Sequence, residues 1–288
     1  MVYEEKVISR LEKKAAQLRR DVIISVGVGV AGHIGGSNSA ADLVAALYFY
    51  KMKHDPSNPE RKDRDRFLLS KGHAAILQYA ALAESGYFPR EDLRHTKEIG
   101  AHLQGHPDVK KTPGIEAGTG SLGQGLSIGL GMALGQRLDG IERKTYVLMG
   151  DGELAEGQIW EAAMAASAFG ADNLVALVDR NQLQANGRVK ERFDSGNIGA
   201  KFLSFGWHVM EIDGHNMREI LEALDKADDL KGAPVAIIAN TVKGKGVSFA
   251  ENVAGYHNGM LTEETYRQAL EELEEQGGEA VWDIQISV

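Results

Sequence analysis

The 288-residue sequence contains no cysteine. That absence excludes a disulfide framework, a thiolate zinc site and a cysteine nucleophile. No apolar run reaches transmembrane length, and the opening stretch "MVYEEKVISRLEKK" lacks the apolar core of a secretory signal. The expected compartment is therefore the cytoplasm, with no membrane partner. Basic residues are in the minority, 32 against 41 acidic, for a net charge of −9. Broad, nonspecific binding of nucleic acid is excluded on that balance. An anionic ligand would need local donors and a cation, because the overall field repels it. No internal repeat or low-complexity linker interrupts the chain. Glycine, by contrast, is plentiful at 34 residues, many of them between Gly114 and Gly135. The hydrophobic fraction of 43% and charged fraction of 25% are those of an ordinary globular protein.

Leu11, Ala15, Leu18, Val22 and Val26 recur at three-to-four spacing and predict a long amphipathic helix. Ser39 is the expected cap of a second helix, "AADLVAALYFYKM". A short apolar run, "FLLS", precedes the helical "AAILQYAALAESG", and "SLGQGLSIGLGMALGQRL" is helical in spacing despite its glycines. From Lys144 onward the apolar runs "TYVLM", "NLVALVD", "WHVMEID" and "PVAIIAN" alternate with helical segments at 160–169, 199–205 and 217–230. This alternation predicts an α/β fold built from βαβ units, an open parallel sheet with helices on both faces. One domain is expected over 1–275. The tail 276–288, with Val281, Ile284, Ile286 and Val288, is expected as an edge strand, an interface segment or a frayed end.

The most informative stretch runs from Val147 to Gly187. One apolar run ends in Gly150-Asp151-Gly152, and the next ends in Asp179-Arg180-Asn181. If both are parallel strands, Asp151 and Asn181 emerge at the carboxyl edge of one sheet, where open α/β folds bind ligands. A carboxylate, an amide oxygen and a nearby carbonyl suit a hard divalent cation that also takes phosphate oxygens. Strand–Asp–Gly turns are common, so the pairing with Asn181 carries the metal–diphosphate reading.

Three other patterns fail on context. "GVGVAG" (27–32) and "GTGSLG" (118–123) fit the dinucleotide fingerprint, but neither follows a predicted strand. "GLSIG" (125–129) fits a nucleophile elbow without the strand it requires, so Ser127 reads as a small helix residue. Glycines 125, 129, 131 and 135 instead suggest close approach of a neighbouring helix or a partner chain. His33, His73, His106 and His257 stand in glycine-flanked loops without metal-ligand spacing. Loop imidazoles can bind phosphate and relay protons near neutral pH. Lys243 and Lys245 in "TVKGKG" read first as a solvated turn and second as a phosphate grip.

"GDGELAEGQIWEA…DRNQLQANG" resembles the thiamine-diphosphate motif, and "SKGHAA", "GHP", "TGSLGQGLSIGLGMA" and "NTVKGKGVSFAEN…H" resemble the transketolase family in order and context. The resemblance covers nearly the whole chain and implies the thiamine-diphosphate-binding fold. It implies Mg²⁺ or Ca²⁺ held by Asp151, Asn181 and the Leu183 carbonyl. His73 and His257 would touch the diphosphate of thiamine diphosphate. Gly120 and Leu122 would lie along the cofactor, and Gly152 would approach its diphosphate. His33, His106 and His257 would face the donor sugar, and Glu156 would reach across an interface toward the activating glutamate. Ile34 departs from the proline common in the family.

Family members are about twice this length, with a second domain that binds the aminopyrimidine and carries the activating glutamate. The chain resembles the diphosphate-binding half alone. The resemblance thus implies the N-terminal subunit of a split transketolase that moves a two-carbon ketol unit from a ketose phosphate to an aldose phosphate, as in the pentose phosphate pathway. A separate C-terminal subunit would complete the site in an α2β2 assembly. Two alternatives stay open: two-carbon transfer on a different substrate, and a noncatalytic cofactor-binding subunit.

Overall fold

The computed structural model describes residues 3–279. Five strands form an all-parallel sheet: β1 (Arg66–Leu69), β2 (Thr145–Gly150), β3 (Leu174–Arg180), β4 (His208–Asp213) and β5 (Val235–Asn240). Their spatial order is β1-β2-β3-β5-β4. The longer helices are α1 (Glu5–Val26), α2 (Ile34–Ser39), α3 (Ala41–Ala46), α4 (Ala75–Ser85), α5 (Gln124–Leu138), α6 (Gly157–Ala168), α7 (Ile198–Ser204), α8 (Met217–Asp229) and α9 (Glu263–Glu275). The expected α/β class, the strands and most helices are found where periodicity placed them.

Side chains alternate across each strand, so a sheet covered on both faces must be apolar throughout. Along β2, Tyr146 and Leu148 join one core with α1, α3, α4 and α8, while Val147 and Met149 join a second with α5, α6 and α7. The long helix α1 buries its predicted apolar stripe, Leu11, Ala15, Leu18 and Val22 completely and Val26 nearly so. Each leucine or valine among them contributes roughly 1.5–3 kcal/mol on burial. The helix stops at Gly27, whose φ of 67° an L side chain rarely adopts.

Two expectations about helices are corrected. Ser39 does not cap the second helix: it is the last residue of α2, and its hydroxyl reaches Asp179 Oδ2 at 2.6 Å. The segment predicted as one helix is α3 followed by a wider π-helical turn over Leu47–Lys51. The glycines of α5 do permit close approach, but to the sheet. A Cβ on Gly125 would lie 2.4 Å from the Ser70 side chain, and one on Gly129 would lie 2.4 Å from Val147 Cγ2, whereas Gly131 and Gly135 meet open space. Residues 280–288 of the tail, including Val281 to Val288, lie outside the described residues.

Candidate active site

Because every strand of the sheet runs in one direction, the segments that follow β1, β2, β3 and β5 emerge at one edge. Gly150 is in register with Asp179 and Arg180 with Asn240, so the chain leaves neighbouring strands at the same level. Asp151 is buried beyond β2; its Oδ1 accepts from the Gly152 amide at 2.8 Å and its Oδ2 from the Gln182 amide at 2.5 Å. Burial, with Asp179 nearby, pushes its carboxyl up to about 6. Asn181 donates through Nδ2 to Asp179 Oδ2 at 3.0 Å, which orients its Oδ1 toward the Leu183 amide at 3.1 Å. Between them Gln182 sits at φ 63°, a left-handed value that costs on the order of 1 kcal/mol and tightens the loop.

Asp179, inside β3, is the hub behind these groups. It accepts from the Lys71 ammonium at 2.5 Å, the Ser39 hydroxyl, the Thr241 hydroxyl and the Asn181 amide. Burial works against its charge, but the Lys71 ammonium and the surrounding donors outweigh it and hold the carboxyl below the usual carboxylate range. Neither Asp179 nor Lys71 was singled out from the sequence.

Three of the four predicted histidines meet. The ring centroids of His33, His73 and His257 lie 5.1, 5.4 and 5.0 Å apart in pairs. Burial, reinforced by Lys71, depresses His73 to about 2. Burial with Lys97 nearby depresses His33 to about 4, and burial with Lys243 nearby depresses His257 to about 4. All three are neutral imidazoles at neutral pH. The fourth, His106, is exposed but adjoins the group: a Cβ on Gly120 would touch its ring at 2.9 Å. Gly120 lacks a side chain where the backbone passes His106, at φ 149°. Leu122 and Gly152 are half-buried nearby in sequence to that loop and to Asp151, and Gly152 packs against the Gln184 side chain. Glu156 lies exposed at the start of α6 and makes no side-chain cap there. Ile34, the departure after His33, is fully buried and opens α2.

The reading of Lys243 as a solvated turn is overturned. Its side chain is buried, and its ammonium donates to the Leu183 carbonyl at 2.7 Å and to His257 Nδ1 at 2.9 Å. Burial lowers it to about 8. Because His257 Nδ1 accepts, its proton sits on Nε2. Lys97 is a further basic group missed from sequence; held at φ 70°, it donates to the Ala31 carbonyl at 2.7 Å. Its position after a polar loop gave no signal, whereas Lys71 and Lys243 both follow the ends of apolar strands closely.

The donor chemistry fits a hard cation. Asp151 Oδ, Asn181 Oδ1 and the Leu183 carbonyl are all oxygens, as Mg²⁺ and Ca²⁺ require. No group of three or more His, Cys, Asp or Glu suited to holding a metal occurs among the described residues. Softer ions that prefer imidazole or thiolate therefore have no comparable set. Neutral N–H donors and two buried ammoniums suit a diphosphate. No helix among the described residues is long and apolar enough to cross a membrane.

The family model described as "Transketolase, thiamine diphosphate binding domain" matches residues 12–277. The chain is 45% identical over 267 residues to the 6-deoxy-6-sulfo-D-fructose transketolase subunit of Clostridium sp. (strain MSTE9), covering 93% of this chain and 97% of that protein. It is 41% identical over 268 residues to an apulose-4-phosphate transketolase subunit of Phocaeicola vulgatus, covering 93% and 95%. Among solved structures, transketolase from Leishmania mexicana superposes with a TM-score of 0.85 at 31% identity, covering 93% of this chain and 41% of that one. The chain belongs to the transketolase family of transferases, and it corresponds to the thiamine-diphosphate-binding domain.

Proposed function

We propose that this chain is the diphosphate-binding subunit of a two-subunit transketolase, with its working domain over residues 1–275. The observation that carries the reading is the convergence of His33, His73 and His257, with Lys243 joining His257 to the Leu183 carbonyl at the carboxyl edge of the sheet. Asp151, Asn181 and the Leu183 carbonyl hold Mg²⁺ or Ca²⁺. His73 and His257 donate to the diphosphate, and Gly120, Leu122 and Gly152 let the cofactor approach the backbone. Bound thiamine diphosphate supplies the electron sink for carbon–carbon bond cleavage and formation. The protein's part is orientation and proton handling. His257 offers Nε2–H while Lys243 holds its Nδ1, and His33 and His106 accept or return protons at the hydroxyls of the donor sugar. Burial keeps the His33 ring neutral and so able to accept a proton.

The second half of the site belongs to a separate polypeptide in an α2β2 assembly in the cytoplasm. Two facts support this: the chain spans 41% of the single-chain Leishmania enzyme, whereas relatives of its own length are named as subunits. Val28, Val30 and Met260, on the segments that lead into His33 and out of His257, are exposed apolar residues suited to cover by that partner. Glu156, exposed just before α6, is free to reach toward the partner's activating glutamate.

Substrate is a ketose with an anionic tail. The relatives' names specify 6-deoxy-6-sulfo-D-fructose and apulose-4-phosphate, which favours a donor outside the ordinary pentose phosphates. The test is to assay ketol transfer by the chain with and without its candidate partner, with Mg²⁺ and thiamine diphosphate. A ketopentose phosphate and those two compounds serve as donors. Full activity from the chain alone would refute the two-subunit reading. Unchanged turnover on His106→Ala in the complex would favour a noncatalytic role for this chain.

A further inference from the structure

Glu153 lies two residues past Asp151, in the single turn Gly152–Ala155, and is 3% exposed. Its Oε1 accepts from the Ser70 hydroxyl at 2.5 Å and from the Gly123 amide at 2.9 Å, and its Oε2 accepts from the Gly150 amide at 3.1 Å. These donors belong to three different segments. Ser70 follows β1 and leads into Lys71 and His73. Gly123 ends the loop that contains Gly120 and Leu122 and opens α5. Gly150 closes β2 directly before Asp151.

We propose that Glu153 is a positioning residue that sets His73, Leu122 and Asp151 in register for the diphosphate and its cation. The inference rests on the reading of the site as a thiamine-diphosphate cradle. A buried carboxylate is a costly way to fill space, and an apolar residue of similar volume would serve packing as well or better. What the carboxylate adds is two oxygens facing three donors at once. The surroundings leave little freedom to substitute for it. Gly123 is held at φ 84°, where a Cβ would come 2.6 Å from the Glu156 Cβ, and Gly125 lies where a Cβ would strike Ser70. The three segments touch backbone to side chain, so a shift in one is carried to the others. Groups behind metal ligands, though they touch neither metal nor substrate, commonly change metal affinity by about 10- to 100-fold when removed.

Glu153→Gln keeps the shape but leaves one oxygen for three donors and turns an amide N–H₂ toward a donor. Hydrogen exchange of the full chain, together with its partner, would be measured for the wild type and for E153Q. Thiamine diphosphate would then be titrated calorimetrically in MgCl₂. Faster exchange is expected in the segments holding Gly123 and Gly150. The cofactor Kd should rise on the order of 10- to 100-fold, while kcat at saturating cofactor stays within a few-fold. Should E153Q fail to fold, Ser70→Ala removes one donor and keeps both amide bonds. It is expected to raise Kd by less, without the change in exchange at Gly150. Unchanged Kd in a folded E153Q, or a lost kcat at unchanged Kd, overturns the proposal. A wild type that binds no thiamine diphosphate overturns the reading of the site itself, which is a different result from equal binding by both proteins.

Discussion

Replacing Lys71 with methionine tests whether the hub behind the site is held by charge. Lys71 and Asp179 are 2% and 0% exposed, with Nζ and Oδ2 2.5 Å apart, and the same ammonium donates to the Gly36 carbonyl at 2.6 Å. Methionine restores most of the volume, so the change isolates the ammonium. Removing one partner of a buried pair costs about 3–5 kcal/mol, because the other charge is left in a poor solvent. Ser39, Thr241 and Asn181 still donate to Asp179, which places the expected loss near the lower end, about 3 kcal/mol. Against a typical total of about 5–15 kcal/mol, that is a large fraction. With a slope of about 3 kcal/mol per molar urea, the unfolding midpoint should fall by about 1 M.

The sign of the pH dependence sharpens the test. In the wild type the Asp179 carboxyl lies below 3.8 when folded, so the pair contributes fully at neutral pH and is lost only as pH falls through that depressed value. Without Lys71, burial dominates and raises the folded carboxyl above its unfolded value. The variant then loses stability at neutral pH and recovers it as the acid takes up a proton. Its deficit relative to wild type should shrink as pH is lowered from about 7 toward about 4. The double variant Lys71→Met/Asp179→Asn carries no buried charge and should recover at least half of the loss at pH 7. A single variant as stable as wild type, or a double variant less stable than the single, would refute the reasoning.

Asp151→Ala should abolish Mg²⁺-dependent binding of thiamine diphosphate in the assembled enzyme; retained binding by calorimetry would show that the metal ligand is misassigned. His33, His73 and His257 have folded values of about 4, 2 and 4, below the 6.5 of a free imidazole. Unfolded chains therefore bind protons that the folded one refuses, and urea stability should decline as pH drops from about 6.5 to about 4. Replacing all three by asparagine should flatten that slope, and an unchanged slope counts against their neutrality. Gly129→Ala should cost about 1–3 kcal/mol because its methyl meets Val147, whereas Gly131→Ala in the same helix should stabilise by about 0.5–1 kcal/mol. Thermal unfolding of the pair decides this, and equal shifts would discount the close approach of α5 to the sheet.

The parts of the fold that could be read in the sequence are those with local periodicity. The stripe of α1 repeats every three or four residues, and the strands β2, β3 and β5 are apolar on both faces because helices cover both. Asp151 and Asn181 were legible for a related reason. Each ends an apolar run, and the parallel register that places Gly150 beside Asp179 brings both loops to one edge without further information. Ser39 was misread because a serine before an apolar helix has a ready local role, while its actual partner is 140 residues away. Lys71 and Asp179 were missed, and Lys243 was read first as a solvated turn, for the complementary reason. A charged side chain is ordinarily solvated, and only a partner remote in sequence makes its burial tolerable. Yet Lys71 lies two residues beyond Leu69 of β1, Lys243 three beyond Asn240 of β5, and Asp179 next to the end of an otherwise apolar strand. At the carboxyl edge of this sheet Lys71, Asp179 and Lys243 are buried and meet groups of neighbouring segments, whereas Arg180, the last residue of β3, stays part-exposed and pairs with Glu211. In such a sheet, position relative to the strand end is therefore a stronger signal of function than residue type, and it places Lys71, Asp179 and Lys243 together with Asp151 and Asn181 in one electrostatic unit.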